Sequence, residues 1–342
     1  MRSSLAKTVF ALGTFAWFGC SRAVPSSQRQ NADAEVPRAD AEAPHAEAVR
    51  DAGHTGDTGH AGHATTRDAR AAFASAKLLS GRAVGHTSVV LKVKLEGGLT
   101  AAWKPNTRRG KERYRGEIAA RRLALALGLP NVPEACLRAF SKAELAHALD
   151  ADAATLVAEE ALGDAKGDVP GALMPWIADL QFPALESEPL VSQWKAGLLG
   201  TNKVGATEEP EATSRFLGEL STLVAFDTIS GNWDRFSGAN IGKDPVSGQL
   251  LFIDNDGAFY ENPPPDGLAR NVRLLAGTKR FSRTFVAAVR SFDAARLEAV
   301  LGEDLAGHPL LSPKALAGVR SRIELVRSAI ASTSAEGRDA FP

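Results

Sequence analysis

The chain of 342 residues carries 40 Lys and Arg against 40 Asp and Glu, and 44% of it is hydrophobic. That is long and apolar enough to bury one large core or two lobes. The even charge balance leaves no basic footprint of the kind that grips nucleic acid, so no nucleic-acid partner is expected.

Residues 1–23 read as an export signal. Arg2 and Lys7 lead an apolar run, TVFALGTFAWFG, that has the length of a signal core and is short for a membrane span. Two endings compete. Phe18-Gly19-Cys20 places a small residue before Cys, as lipoprotein processing needs, although Trp17 and Phe18 are bulky for that motif; Ser21-Arg22-Ala23 offers the small residues an ordinary signal peptidase reads. The lipoprotein ending is favoured, with a lipid anchor at Cys20 as the membrane contact. Either ending exports the protein to the cell envelope or beyond. With Cys20 lipidated or removed, Cys136 stands alone and no intrachain disulfide can form.

Residues 24–70 are rich in Ala, Asp, Glu, Gly, His and Pro and nearly devoid of large apolar side chains. Such a segment cannot bury enough surface to offset its ordering entropy, so it reads as a disordered tether. Three of its histidines, His54, His60 and His63, are irregularly spaced and read as solvated rather than as metal ligands. The folded domain is expected over 71–335.

Within it, SVVLKVKL (88–95) alternates apolar and polar residues as a strand does, Glu96-Gly97-Gly98 turns the chain, and LTAAWK (99–104) reads as the second strand of a hairpin. Residues 112–128 carry apolar residues at helical spacing up to Gly128. Residues 134–140 and 154–161 read as further strands. The second half is mostly helical: 213–230 is apolar around much of its circumference, as a buried central helix would be, and 284–302 and 312–332 are amphipathic. Between them, Ile241 and LLFID (250–254) bracket a turn and read as a short hairpin. A β-rich part followed by a helical part predicts a two-lobed α+β fold.

The polar residues that interrupt this pattern fall in a telling order: Lys104, Glu117, then Asn232-Trp233-Asp234-Arg235 with Asn240, then Asp254-Asn255-Asp256. Phosphoryl transfer calls on that set. A Lys neutralises nucleotide phosphates, a Glu on a neighbouring helix fixes the Lys, an Asp takes the acceptor hydroxyl's proton, and an Asn and a second Asp hold the metal. Lys104 closes a strand, Glu117 lies 13 residues on, and Asp234 and Asp254 each follow an apolar element. Arg235 reads as a partner for Asp254 or Asp256, or as a brace for the catalytic loop. Gly81 and Gly85, within SGRAVGHTS (80–88), suggest a phosphate-covering loop whose backbone N–H groups face the ligand.

The runs VAFDTISGNWDRFSGANIG and LLFIDNDGAFY, with AAWKP and RYRGEIAARRLALALGLPNVP, resemble the atypical secretory-pathway kinases of the four-jointed and Golgi-kinase type. They are more distantly similar to HipA-type and phosphatidylinositol kinases. The resemblance spans about residues 75–330, with its specific part confined to these stretches. It implies a protein-kinase-like fold, with a small antiparallel β N-lobe and a mainly helical C-lobe, that uses ATP with Mg or Mn. Asp234, with Arg235 beside it, takes the catalytic role, Asp254 and Asn240 the metal, and Lys104 and Glu117 the phosphate-positioning pair. The segment GALMPWI (171–177), with Met174 and Trp176, corresponds to the hinge beside the adenine pocket. The implied acceptor is a hydroxyl, of Ser or Thr in an envelope or secreted protein or of a small molecule.

Two departures stand out. Five residues separate Asp234 from Asn240 where kinases commonly have four, and the disulfides common in animal secretory members are missing. A different class of reading, a catalytically inactive kinase-fold lipoprotein that binds nucleotide or a partner, draws on the displaced Asn240 and on the scarcity of ATP outside the cytoplasm.

Overall fold

The computed structural model describes residues 73–84, 88–200, 211–302, 304–305, 308–335 and 340–341. The signal, the tether and Gly85 lie outside the described residues.

Five antiparallel strands form the first lobe: β1 (Leu78–Val84), β2 (Val90–Leu95), β3 (Thr100–Pro105), β4 (Cys136–Phe140) and β5 (Val169–Pro175), in the order β1-β2-β3-β5-β4. The β2–β3 hairpin is the expected one, and its turn uses Gly97 and Gly98 at φ 76° and 75°, which only glycine adopts without strain. Alternation along β2 and β3 buries Leu91, Val93, Leu95, Ala101 and Trp103. Trp103 meets Phe140 edge-on at 5.0 Å between ring centroids. Residues 80–84, expected in a phosphate-covering loop, belong to β1 instead. Gly81 serves packing, since a Cβ there would lie 2.6 Å from Leu149.

Helix α1 (Tyr114–Ala126) follows β3 and inserts Ile118, Ala119, Leu123 and Ala124 beneath the sheet. Helices α2 (Lys142–Ala148) and α3 (Ala151–Glu160) separate β4 from β5. The second replaces the strand expected over 154–161. Asp150 caps it, accepting from Ala153 N at 2.8 Å, and the Ala- and Glu-rich run outweighs the β-branched Thr155 and Val157.

The second lobe is built around α5 (Glu211–Ser230), preceded by α4 (Leu190–Leu199), and its core carries a continuous apolar cluster with α1. Residues 217–218 and 220–230 of α5 are all buried, and its hydroxyls are satisfied locally: Thr222 and Thr228 donate to Gly218 O and Val224 O, at 2.9 and 2.8 Å. Gly231, at φ 68°, ends the helix. The short hairpin β6 (Ile241–Lys243) and β7 (Leu250–Phe252) then leads into α6 (Pro265–Gly277), α7 (Arg283–Ser291), α8 (Ala294–Leu301) and α9 (Pro313–Ala335). The single helix expected over 284–302 is two. The chain turns at buried Phe292, and Asp293 caps α8 by accepting from Arg296 N at 2.8 Å. Among the described residues no helix is long and apolar enough to cross a membrane.

Candidate active site

β3 delivers Lys104 to the floor of a cleft between the lobes, and α1 brings Glu117 up beneath it. Lys104 Nζ lies 2.5 Å from Glu117 Oε1 and 2.7 Å from Asp254 Oδ1, with Asp256 Oδ2 at 3.7 Å. Burial alone would lower the Lys104 pKa, but Glu117, Asp254 and Asp256 outweigh it and raise the ammonium above its ordinary range. Burial likewise works to raise Asp254, and Lys104 overrides it, holding that carboxyl below its usual value. Asp256 has the opposite outcome: burial pushes it up to about 6 against the pull of Lys104.

The loop after β7 passes so close to α1 that only glycine fits at Gly116, where a Cβ would stand 2.6 Å from Asn255 O. Asp254 itself has φ 54°, a left-handed backbone that turns its carboxylate into the cleft. Asn255 ties the lobes together. Its N and Nδ2 donate to Glu117 at 3.0 and 3.3 Å, and its Oδ1 accepts from Arg235 Nη2 at 2.6 Å.

Arg235 is 1% exposed and is not aimed at the cleft. The sequence suggests Asp254 or Asp256 as its partner, or a role as a brace for the catalytic loop; its carboxylate partner is instead Asp227, one of the last residues of α5, at 3.0 Å from Nε to Oδ2. Asp227 comes from the same stretch of chain, 8 residues back, so the pair forms as soon as the helix ends. Burial raises the Asp227 carboxyl, and Arg235 opposes the rise. The same guanidinium donates to Asn240 O at 2.7 Å and to Ile253 O, so it fixes the backbone of both loops. Arg235 therefore positions the loops without touching the cleft.

Asp234 is half-buried, with its backbone pinned from both sides. Its N donates to Asn232 Oδ1 at 3.0 Å, and its O accepts from Asn240 Nδ2 at 2.8 Å. Gly257 packs against it, where a Cβ would lie 2.9 Å from Asp234 Cβ. The extra residue before Asn240 is taken up by Gly238 and Ala239, both left-handed at φ 96° and 57°. Asn240 therefore spends its Nδ2 on Asp234 O and Ser237 Oγ, and its Oδ1 stays out of that bonding.

Beside Lys104 a cavity of about 440 Å3 is walled by Val90, Ala102, Ala135, Met174, Trp176 and Ile253, with Lys104, Glu117 and Asp254 at one end. An apolar slot with charge at one end suits a flat base and its phosphates. Met174 on β5 and Trp176 just after it line the cavity, and Lys92 Nζ sits 4.2 Å from the Trp176 ring centroid. Asp254, held ionised by Lys104, offers the hard carboxylate oxygen that a divalent cation takes. Among the described residues no group of three or more His, Cys, Asp or Glu could hold a metal alone. Asp254 would share such an ion with phosphate oxygens.

Sequence reasoning passes over Asp227, the relay through Asn255, and Arg113, whose Nη2 lies 3.6 Å from Asp256 Oδ1. Asp227 hides inside an apolar helix and Arg113 in a basic loop; Asn255 alone carries a signal, standing between two acidic residues.

The fold is a two-lobed α+β kinase-like one, with the small antiparallel sheet and the helical lobe that the motifs implied. Among solved structures, the chain is similar to the Golgi casein kinase with Mn and ADP bound, at TM-score 0.57 and 14% identity over 78% of this chain and 75% of that one. It is similar also to hydra Fam20 with sugar, at TM-score 0.56 and 18% identity over 78% and 88%. No family model matches the chain, and no curated protein matches it.

Proposed function

We propose that the protein is an exported ATP-dependent phosphotransferase that moves the terminal phosphoryl group to a hydroxyl. One observation carries the reading: Lys104, Glu117 and Asp254, from three separated parts of the chain, meet within 2.7 Å at the charged end of an apolar cleft. Lys104, held by Glu117, orients the nucleotide phosphates. Asp254 and Asn240 would hold Mg or Mn, which would supply charge neutralisation at those phosphates. Asp234 takes the acceptor proton as the hydroxyl oxygen bonds phosphorus, and the old P–O bond breaks with its electron pair on the departing diphosphate. The resemblance favours Ser or Thr of an envelope or secreted protein as acceptor. The amino-terminal run carries the export reading, with lipid attachment at Cys20.

The test is transfer of labelled phosphate by the purified full chain, with Mg or Mn, to a panel of Ser/Thr peptides and small hydroxyl compounds. Wild type should transfer label. Asp234→Asn should lose at least about 100-fold in rate, the usual contribution of a general base, while binding nucleotide as before. Binding without transfer to any acceptor would favour the non-catalytic reading.

A further inference from the structure

The segment between β3 and α1, Asn106-Thr107-Arg108-Arg109-Gly110-Lys111-Glu112-Arg113, is a basic stretch that ought to be a loose solvated turn. It is tightly built instead. Gly110 N donates to Thr107 Oγ1 at 2.9 Å, Lys111 N to Thr107 O at 2.7 Å, and Glu112 N to Asn106 Oδ1 at 2.9 Å. Lys111 and Glu112 are held at φ 38° and 43°, conformations that persist only where the surroundings impose them.

This fixed loop walls two cavities. One, of about 110 Å3, is lined by Ser88, Lys104, Thr107, Arg109, Arg113 and Asp256. That volume admits a group the size of a tetrahedral oxyanion. The other, of about 730 Å3, opens toward Trp233, Tyr260, Glu261 and Asn262. Arg113 lines both. Its guanidinium faces Asp256 on one side, at 3.6 Å, and on the other lies 5.9 and 5.7 Å from the Trp233 and Tyr260 ring centroids. Trp233 is the residue before Asp234. Of the cations around the small cavity, Lys104 is committed to carboxylates at 2.5 and 2.7 Å and Arg109 to Glu160 at 2.7 Å, whereas Arg113 has its nearest carboxylate oxygen at 3.6 Å and donates from Nε to Asp256 O at 3.4 Å.

We propose that the small cavity seats the terminal phosphoryl group of a nucleoside triphosphate and that Arg113 is its contact, at the opening toward the acceptor side. The inference rests on the phosphotransferase reading and names a residue that reading does not include. A planar guanidinium with five donors can hold two equatorial oxygens at once as charge spreads over them during transfer.

The test compares binding of ADP with that of a non-hydrolysable ATP analogue, each with Mn, to the full chain. Wild type should prefer the triphosphate at least tenfold. Arg113→Met should lose that preference through weaker triphosphate binding, with ADP affinity within twofold of wild type. Arg113→Lys, which keeps the charge and loses the fork, should fall between. Arg108→Met, an exposed neighbour lining neither cavity, should behave as wild type. The proposal fails if Arg113→Met keeps the preference, or if both nucleotides weaken equally in Arg113→Met and Arg113→Lys. Failure of wild type to bind any nucleotide would overturn the phosphotransferase reading with it.

Discussion

Lys104 and Asp254 stand 150 residues apart in the chain and 2.7 Å apart in the fold. One closes a strand of the sheet lobe and the other opens the loop after a hairpin of the helical lobe. The contact therefore reports how the two lobes are set against each other. Asn255, held by Glu117 on one side and Arg235 on the other, extends the same tie to the loop that carries Asp234.

The Asp227–Arg235 pair anchors that tie, and both residues are at most 2% exposed. Asp227→Ala leaves a buried guanidinium without its carboxylate, which should destabilise the protein by about 3–5 kcal/mol. Urea denaturation measures the loss. A change below about 1 kcal/mol, the size of an ordinary hydrogen bond, would mean that the backbone carbonyls of Asn240 and Ile253 suffice to hold Arg235.

Gly116→Ala should act against the ordinary trend. Within a helix that substitution commonly stabilises by about 1 kcal/mol. Here the added methyl would stand 2.6 Å from Asn255 O, and overpacking of this kind costs about 1–3 kcal/mol. Denaturation should show a net loss, and metal-dependent nucleotide binding should weaken with it as the Asp254 loop is pushed away. A stabilised variant with intact binding would contradict the close approach of loop and helix.

Asp256 gives stability a pH dependence when no divalent metal is present. Its carboxyl titrates at about 6 in the fold against 3.8 for the free side chain, burial being the main cause. The folded state thus holds the proton more tightly than the unfolded chain. The resulting stabilisation is complete below 3.8 and is lost as pH rises through about 6. That difference in proton affinity is worth at most about 3 kcal/mol. In EDTA, Asp256→Asn should gain on wild type as pH rises from about 4 to about 8, read from denaturation midpoints. Parallel profiles for the two proteins would refute this.

Much of this arrangement is legible from sequence because it is carried by local signals. Lys104 ends an alternating strand, Glu117 sits on the following helix, and Asp234 and Asp254 each break an apolar run. The two-lobed fold follows from the same patterning. Asp227 is hidden because a single acid inside an apolar helix has no periodicity of its own; only the return of Arg235 after the Gly231 turn gives it a partner. Residues 154–161 look like a strand because Thr155 and Val157 favour one locally, while the Asp150 cap and burial of Ala153 and Val157 on one helical face decide the outcome. Arg113 is indistinguishable from its basic neighbours until the loop closes around Thr107.

The central claim is that Asp254, with Lys104 and Glu117, forms a metal-dependent nucleotide site. Thermal stabilisation of the full chain by ATP with Mg or Mn, set against Asp254→Ala, tests it most directly. Ligand at about 100 times its dissociation constant adds about 2.7 kcal/mol to stability by mass action. Wild type should shift only when nucleotide and metal are present together, and Asp254→Ala should not shift. An unshifted wild type, or a variant that shifts equally, would contradict the account.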